Sequence, residues 1–233
     1  MSLLKVENLV SYIGLFTILQ GMDVEVEQGE AVAILGRNGA GKTTFLRTIM
    51  GLVKTRSGVL EFDGQPLPGL PAHRISRMGI GYCPEDYGIF NELTVEENLV
   101  IARHKDDEAT RERIERVLDL FPDLKLAYKR LASTLSGGQR QMLSVGRSLV
   151  NETKLILIDE PSKGLAPVVI EKMAMALREI SKISTILLVE QNFNMACAVT
   201  NRYYLIDEGR TVHKGIIHDL MEDKELQQRH LGL

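Results

Sequence analysis

Cysteine is scarce: Cys83 and Cys197 are the only two in 233 residues, too few for a disulfide framework or a four-cysteine metal site. Long apolar runs are also missing. Stretches such as Ile156–Ile158 and Ile186–Val189 stop far short of the ~18 residues a membrane span needs. Neither charge dominates, with 28 Lys+Arg against 31 Asp+Glu and a formal net charge of −3, so nothing electrostatic points to nucleic acid as a partner. The opening residues, MSLLKVEN, place Lys5 and Glu7 ahead of any apolar stretch, unlike a secretory signal. Internal repeats, low-complexity tracts and long Pro/Gly/Ser linkers are absent as well. What remains is ordinary globular composition, 44% hydrophobic and 25% charged, which excludes a disordered or fibrous chain. The expectation is a soluble protein of a reducing compartment, with one large domain or two small ones.

Short apolar runs alternate with helical periods, the pattern of an α/β architecture. Met22, Val24 and Val26 alternate with acidic residues, so 22–27 reads as a half-exposed antiparallel strand. Ala31–Leu35 is apolar throughout, as a strand buried on both faces must be. Further strand-like runs fall at Val59–Phe62, Ile80–Cys83, Leu155–Ile158, Thr185–Val189 and Tyr203–Ile206. A helix carrying Phe45, Leu46 and Ile49 closes at Gly51. Between about 86 and 151 buried strands disappear. Thr94 and Glu97 form a capping box there; Ile114, Val117, Leu118 and Phe121 mark a second helix ended by Pro122; a third begins after Ser136. This is a helical subdomain of residues 86–151 inserted into a sheet-based core of residues 1–85 and 152–233, the whole forming one domain. Ile170, Met173, Ala174 and Leu177 mark a later amphipathic helix whose methionines are core packing.

Gly36-Arg-Asn-Gly-Ala-Gly-Lys-Thr43 follows the buried strand and fits G-x-x-x-x-G-K-[ST]. Glycines let the backbone wrap phosphate oxygens, and the helix after Gly41 aims its dipole at the same anion. Lys42 supplies positive charge between the β- and γ-phosphates, and the Thr43 hydroxyl can ligate Mg²⁺. Leu155-Ile-Leu-Ile-Asp-Glu160 delivers two carboxylates at a strand's carboxyl end, where open α/β sheets gather ligands. Asp159 is placed on Mg²⁺, and Glu160 as the general base on the attacking water. Leu135-Ser-Gly-Gly-Gln139 is another anion-binding helix start, one that a single phosphate loop does not need. Two chains facing each other, each closing over the other's γ-phosphate, explain it most economically.

With these motifs the sequence resembles the nucleotide-binding subunit of ATP-binding cassette (ABC) transporters over essentially the whole chain. More narrowly it is similar to the branched-chain amino-acid, amide and urea importer subgroup, through Tyr82-Cys-Pro-Glu85, Thr94-Val-Glu-Glu-Asn98, Asp159-Glu-Pro-Ser162, Gly164-Leu-Ala-Pro167, Leu188-Val-Glu-Gln-Asn192 and His230-Leu-Gly232. The resemblance implies a P-loop NTPase core with a mainly parallel sheet, an N-terminal antiparallel β subdomain and the inserted helices. It implies nucleotide contacts from Gly36, Arg37, Asn38, Gly39, Ala40, Gly41, Lys42, Thr43 and Thr44, with Ser136, Gly137, Gly138 and Gln139 closing from the other chain. Tyr12 matches the aromatic that stacks on adenine. Residues 84–90 match the loop that senses the membrane partner, with Tyr87, Ile89 and Phe90 lining its groove. ATP and Mg²⁺ are the implied cofactors. The implied partners are transmembrane permease subunits, a second cassette (identical or related) and, indirectly, a substrate-binding protein, with the chain peripheral on the cytoplasmic face of the plasma membrane.

Three positions depart from the wider family. Glu85 stands where a glutamine usually ligates Mg²⁺, Gln191 where a histidine usually meets the γ-phosphate, and Ala166 where an aspartate usually crosses the dimer interface. A carboxylate still offers oxygen to the metal but adds negative charge. A neutral amide can donate a hydrogen bond but cannot carry a proton charge. Hydrolysis is therefore expected to rest mainly on Glu160, with Gln191 orienting phosphate. Cys83 is expected as a small buried hydrophobe, Lys154, Lys163 and Arg103 on solvated faces, and the five histidines show no metal-ligand spacing. Rival readings are a lipid or lipopolysaccharide exporter's ATPase, weighed against by Pro84-Glu85 and Gly164-Leu-Ala-Pro167, and a non-transport ATPase or regulatory nucleotide-binding module. The second class usually shows tandem cassettes, coiled coils or basic stretches, which this chain lacks.

Overall fold

A computed structural model describes residues 2–232. Its chain opens with a long antiparallel hairpin, β1 (Ser2–Ile13) and β2 (Phe16–Glu27). Strand β3 (Ala31–Leu35) runs into helix α1 (Lys42–Ile49), and β4 (Lys54–Phe62) returns to pair with β1, carrying the short β5 (Gln65–Pro66) at its edge. The first sheet is thus antiparallel, ordered β2-β1-β4-β5. After α2 (Ala72–Arg77) come β6 (Ile80–Cys83) and the helices α3 (Val95–Ile101), α4 (Glu108–Leu120), α5 (Pro122–Leu126) and α6 (Gly137–Leu149). Strand β7 (Leu155–Asp159), α7 (Pro167–Ser181), β8 (Thr185–Glu190), α8 (Phe193–Val199), β9 (Arg202–Asp207), β10 (Arg210–Ile216), α9 (Ile217–Glu222) and α10 (Lys224–His230) complete the chain. The second sheet is ordered β10-β9-β3-β8-β7-β6, parallel except for β10.

Every residue of β3, β7 and β8 is buried, which is why those segments read as unbroken apolar runs. One core lies between the two sheets, where Phe45, Leu46 and Ile49 of α1 meet Leu4, Leu9, Leu19 and Met22 of the hairpin. Another joins the sheet's opposite face to α7, α8 and the helices of 95–149. Cys83 is fully buried in that second core, its thiol pushed up to about 12 by burial, and it donates to Ser148 Oγ at 3.3 Å. The capping box of α3 is formed as expected, with Thr94 Oγ1 accepting from Glu97 N at 3.1 Å and Thr94 N donating to Glu97 at 2.8 Å.

The N-terminal hairpin and α5 differ from the sequence expectation, and β5, α2, α8, β10, α9 and α10 have no counterpart in it. The strand at 22–27 is the end of a strand twice as long, and β1 was not anticipated at all. Register shifts around Asn8, whose φ is +46°, break the alternation that marks a strand. Pro122 does more than end α4: it sits in the first turn of α5, where its missing N–H is no loss.

The parallel register positions the site. Leu35 lies opposite Glu190, Val189 opposite Asp159, and Ile158 opposite Cys83. The carboxyl ends of four adjacent strands therefore emerge side by side, about 4.8 Å apart. They carry, in order, the phosphate loop, the Gln191 turn, the Asp159–Glu160 pair and the Glu85 loop.

Candidate active site

Between β3 and α1 the phosphate loop folds tightly. A Cβ on Gly36 would lie 2.2 Å from Ile206 O, and Gly41 holds φ +102°, so neither position accepts a side chain without strain. Gly41 is the N-cap of α1 and has no side-chain cap, leaving the helix's first N–H groups for an anion. Lys42 is buried and curls back over the loop, donating to Gly36 O at 2.9 Å and Arg37 O at 3.2 Å. Arg37, Asn38 and Gly39 form the exposed rim, with the Arg37 guanidinium turned toward Gln228 O at 3.3 Å rather than into the loop. Ala40 is buried, its N–H closing the turn onto Arg37 O at 3.2 Å; Thr44 is half-buried, its carbonyl accepting from Thr48 Oγ1 at 2.7 Å.

Asp159 and Glu160 arrive from β7. Thr43 Oγ1 donates to Asp159 Oδ1 at 3.1 Å, while Asp159 Oδ2 is buried without any hydrogen-bond partner. Burial pushes the Asp159 carboxyl up to about 6; the Thr43 hydrogen bond opposes this and the neighbouring Glu160 and Glu85 charges add to it. An orphaned carboxylate oxygen beside a threonine hydroxyl and a second carboxylate is a hard, oxygen-only donor set. It fits Mg²⁺. Glu160 is 9% exposed, and its Oε1 lies 3.4 Å from Lys42 Nζ. Its backbone sits at φ +46°, a conformation costing on the order of 1–3 kcal/mol for a residue with a side chain. The Glu160 N–H donates to Val189 O at 2.9 Å, tying that strained turn to β8.

Glu85 follows β6 and lines an open cleft of ≈ 680 Å³ together with Thr43, Arg47, Tyr82 and Asp159. Lys163, expected on a solvated face, is exposed but pairs with Glu85 and reaches Glu160 Oε2 at 3.8 Å. The extra negative charge at position 85 is thus met by a cation within the same chain. Gln191 is exposed, its N–H held by Glu190 Oε2 at 3.0 Å. Glu190 itself was read only as part of the Leu188–Asn192 run. Its burial on an apolar strand was the available signal. Among the described residues no cluster of His, Cys, Asp and Glu has metal-site geometry.

Tyr12 is half-exposed near the hairpin tip, paired with Thr17 and Lys54. Its neighbour Ser11 is fully buried and paired with Leu19, whose Cδ2 lies 3.1 Å from a Cβ built on Gly41. Ser11 also contacts Thr48 of α1 at 3.3 Å. The β1–β2 register shifts between Ser11 and Tyr12, so alternation from Ser11 does not carry to Tyr12; Ile13, paired with Phe16, follows at the exposed tip. The trio at the Glu85 loop divides as well: Ile89 packs into the helical core, while Phe90 is half-exposed under the Arg147 guanidinium, 5.0 Å away.

Ser136 caps α6, accepting from Gln139 N at 3.3 Å while Gln139 Oε1 accepts from Ser136 N at 3.1 Å. A Cβ on Gly138 would lie 2.5 Å from Val169 Cγ1 of α7, so this glycine is required by packing. A Cβ on Gly137 would meet nothing nearer than 3.7 Å. Strands β8 and β7 separate β3 from β6, on which α6 packs, a lateral offset of about 14 Å.

A phosphate cradle joined to a buried Asp-Glu strand end defines a P-loop nucleotide hydrolase. Residues 19–163 match the family described as ABC transporter. The chain is 38% identical to the high-affinity branched-chain amino acid transport ATP-binding protein BraG of Pseudomonas aeruginosa, over 99% of this chain and 100% of that one. It is also 38% identical to a probable branched-chain amino acid transport ATP-binding protein, LivF, of Archaeoglobus fulgidus, over 93% of each chain. Identity to the lipopolysaccharide export ATP-binding protein LptB of Haemophilus influenzae is 30%, over 100% of this chain and 98% of that one. The fold superposes on the ADP conformation of the ATP-binding cassette MJ1267 with TM-score 0.83 and 26% identity, covering 98% of each chain. The chain belongs to the ABC transporter family and is its ATP-binding, ATP-hydrolysing subunit. No helix among the described residues is long and apolar enough to cross a membrane.

Proposed function

We propose that this chain powers the import of branched-chain amino acids, or of related amides or urea, as one half of a head-to-tail pair of cassettes held peripherally on the cytoplasmic face of the membrane. The observation carrying the chemistry is the convergence of Lys42, Thr43, Asp159 and Glu160 within contacts of 3.1–3.4 Å at the ends of β3 and β7. Full-length similarity to BraG and LivF carries the cargo class. The inserted helices of 86–151, with the Glu85 loop and the half-exposed Phe90, form the face for the permease.

The triphosphate of ATP displaces Lys42 from the loop carbonyls and takes its ammonium between the β- and γ-phosphates. The uncapped N-terminus of α1 receives the same anion. Mg²⁺, when bound through Thr43, Asp159 and Glu85, supplies charge neutralisation at the γ-phosphate. Glu160, released from Lys42, accepts a hydrogen bond from the attacking water and draws its proton as the water oxygen bonds to phosphorus and the bond to the ADP oxygen breaks. Gln191 donates an amide N–H to a γ-phosphate oxygen. Lys163 keeps the Glu85 position near neutral, so the metal site tolerates a carboxylate where others carry an amide. Adenine stacks on Tyr12, half-exposed at the end of β1.

Closure needs the second chain. On this reading the Ser136 helix start serves the partner's phosphate loop, and its hydroxyl, which accepts from Gln139 N, donates its own proton to the partner's γ-phosphate beside the bare Gly137 N–H. Affinity isolation from detergent-solubilised membranes, followed by ATPase assay with and without candidate cargo, tests the reading. Recovery with import permeases and stimulation by a loaded binding protein are expected. Recovery with lipopolysaccharide-export permeases would overturn the cargo assignment.

A further inference from the structure

Glu190 ends β8 beside Leu35 and is 1% exposed. Burial pushes its carboxyl up, and the compensation comes from hydrogen-bond donors rather than from a cation. Ser162 N donates to Oε1 at 3.0 Å. Ser162 Oγ, Gln191 N and Asn192 N donate to Oε2 at 2.9, 3.0 and 2.9 Å. A carboxylate on an apolar strand is costly unless its oxygens are satisfied, and here every donor comes from one of two turns. One turn carries Glu160; the other carries Gln191.

We propose that Glu190 is a positioning residue that staples the 160–163 turn to the 191–192 turn, so that base and γ-phosphate donor move as one body. The inference rests on the roles given above to Glu160 and Gln191. The Glu160 turn touches β8 at two consecutive residues, through Glu160 N on Val189 O at 2.9 Å and through Ser162 on Glu190. A side-chain-bearing residue at φ +46° persists only where its surroundings over-determine it, and these two anchors do so. Only a carboxylate satisfies this arrangement. A glutamine at 190 would turn an N–H₂ toward either the Ser162 N–H or the two turn amides, opposing donor to donor.

The test is steady-state ATP hydrolysis, ATP-analogue affinity and thermal melting of the full chain carrying Glu190→Gln, Ser162→Ala or both. Glu190→Gln is expected to lower kcat about 10-fold or more while the KM and Kd for ATP stay within about 2-fold, the pattern of a group acting only through the transition state. Ser162→Ala should cost about 3-fold. The double variant should be no slower than Glu190→Gln alone by more than about 2-fold, because both remove the same link. The proposal is overturned if Glu190→Gln retains full kcat, or if kcat per folded molecule is unchanged while melting and affinity fall together. Should Glu190→Gln not fold, a normal kcat for Ser162→Ala overturns it equally. Glu160→Gln run alongside separates the two layers. If that variant is inactive while Glu190→Gln is unimpaired, the staple alone fails; if Glu160→Gln still turns over, the base assignment fails with it.

Discussion

The chain starts two helices toward an anion, and it builds them in opposite ways. Helix α1 has no side-chain cap, and Lys42 bends back onto loop carbonyls that a phosphate would replace. Helix α6 is closed by its own Ser136–Gln139 box and anchored by Gly138 against Val169. The first has its metal-binding and base carboxylates within hydrogen-bond or ion-pair reach; the second has none of the chemistry beside it. One is a centre waiting for its substrate, the other a rigid lid with nothing in its own chain to cover. On the proposed function that contrast divides the labour: bond breaking belongs to one protomer and closure to two.

The contrast can be broken most sharply at the two glycines of the lid. Gly138→Ala should destabilise the fold by roughly 1–3 kcal/mol, read as a fall in melting temperature, since a β-branched neighbour cannot step aside from the added Cβ. Gly137→Ala should leave melting almost unchanged while lowering hydrolysis at least about 10-fold, because its cost arises only at the partner's phosphate. Equal melting losses in both variants would contradict the assignment.

A second expectation concerns the waiting centre without nucleotide or metal. The folded Asp159 carboxyl titrates at about 6 against an ordinary value of 3.8, so the folded state binds this proton more tightly than the unfolded chain. The stability this proton provides is present below about 4 and is lost as pH rises through about 6, which leaves a penalty of roughly 3 kcal/mol at neutral pH. Asp159→Asn should therefore melt higher than the parent at pH 7, and the difference should shrink as pH falls toward 4. A difference that grew on acidification would refute the burial argument.

The smallest effects lie at the hairpin tip. Tyr12→Ala should weaken ATP about 3-fold or more, whereas Phe16→Ala should change it less than about 2-fold, with equilibrium binding of ATP against a base-free triphosphate as the readout. The reverse ranking would move the adenine contact from Tyr12 to Phe16.

How far these features could be read beforehand depends on what fixed them. The phosphate loop, the Leu155–Glu160 strand end and both capping boxes are local, because spacing and residue type alone determine what each can do. Strand β1 is hidden by bulges near Asn8, and the register shift between Ser11 and Tyr12 is likewise one that no motif encodes. Glu190 and Lys163 act through residues distant in sequence, Ser162 and Glu85, which the parallel register alone brings together. Gly138 reads as part of an anion-binding start, and only the packing of α6 on α7 reveals its second, steric reason.

Two-chain closure is tested most directly by specific ATPase activity of the isolated chain as a function of its own concentration. The account predicts activity per chain that rises with concentration toward a plateau, with ATP-dependent dimers of Glu160→Gln visible by light scattering. Activity per chain that stays constant down to concentrations where only monomers exist would contradict it.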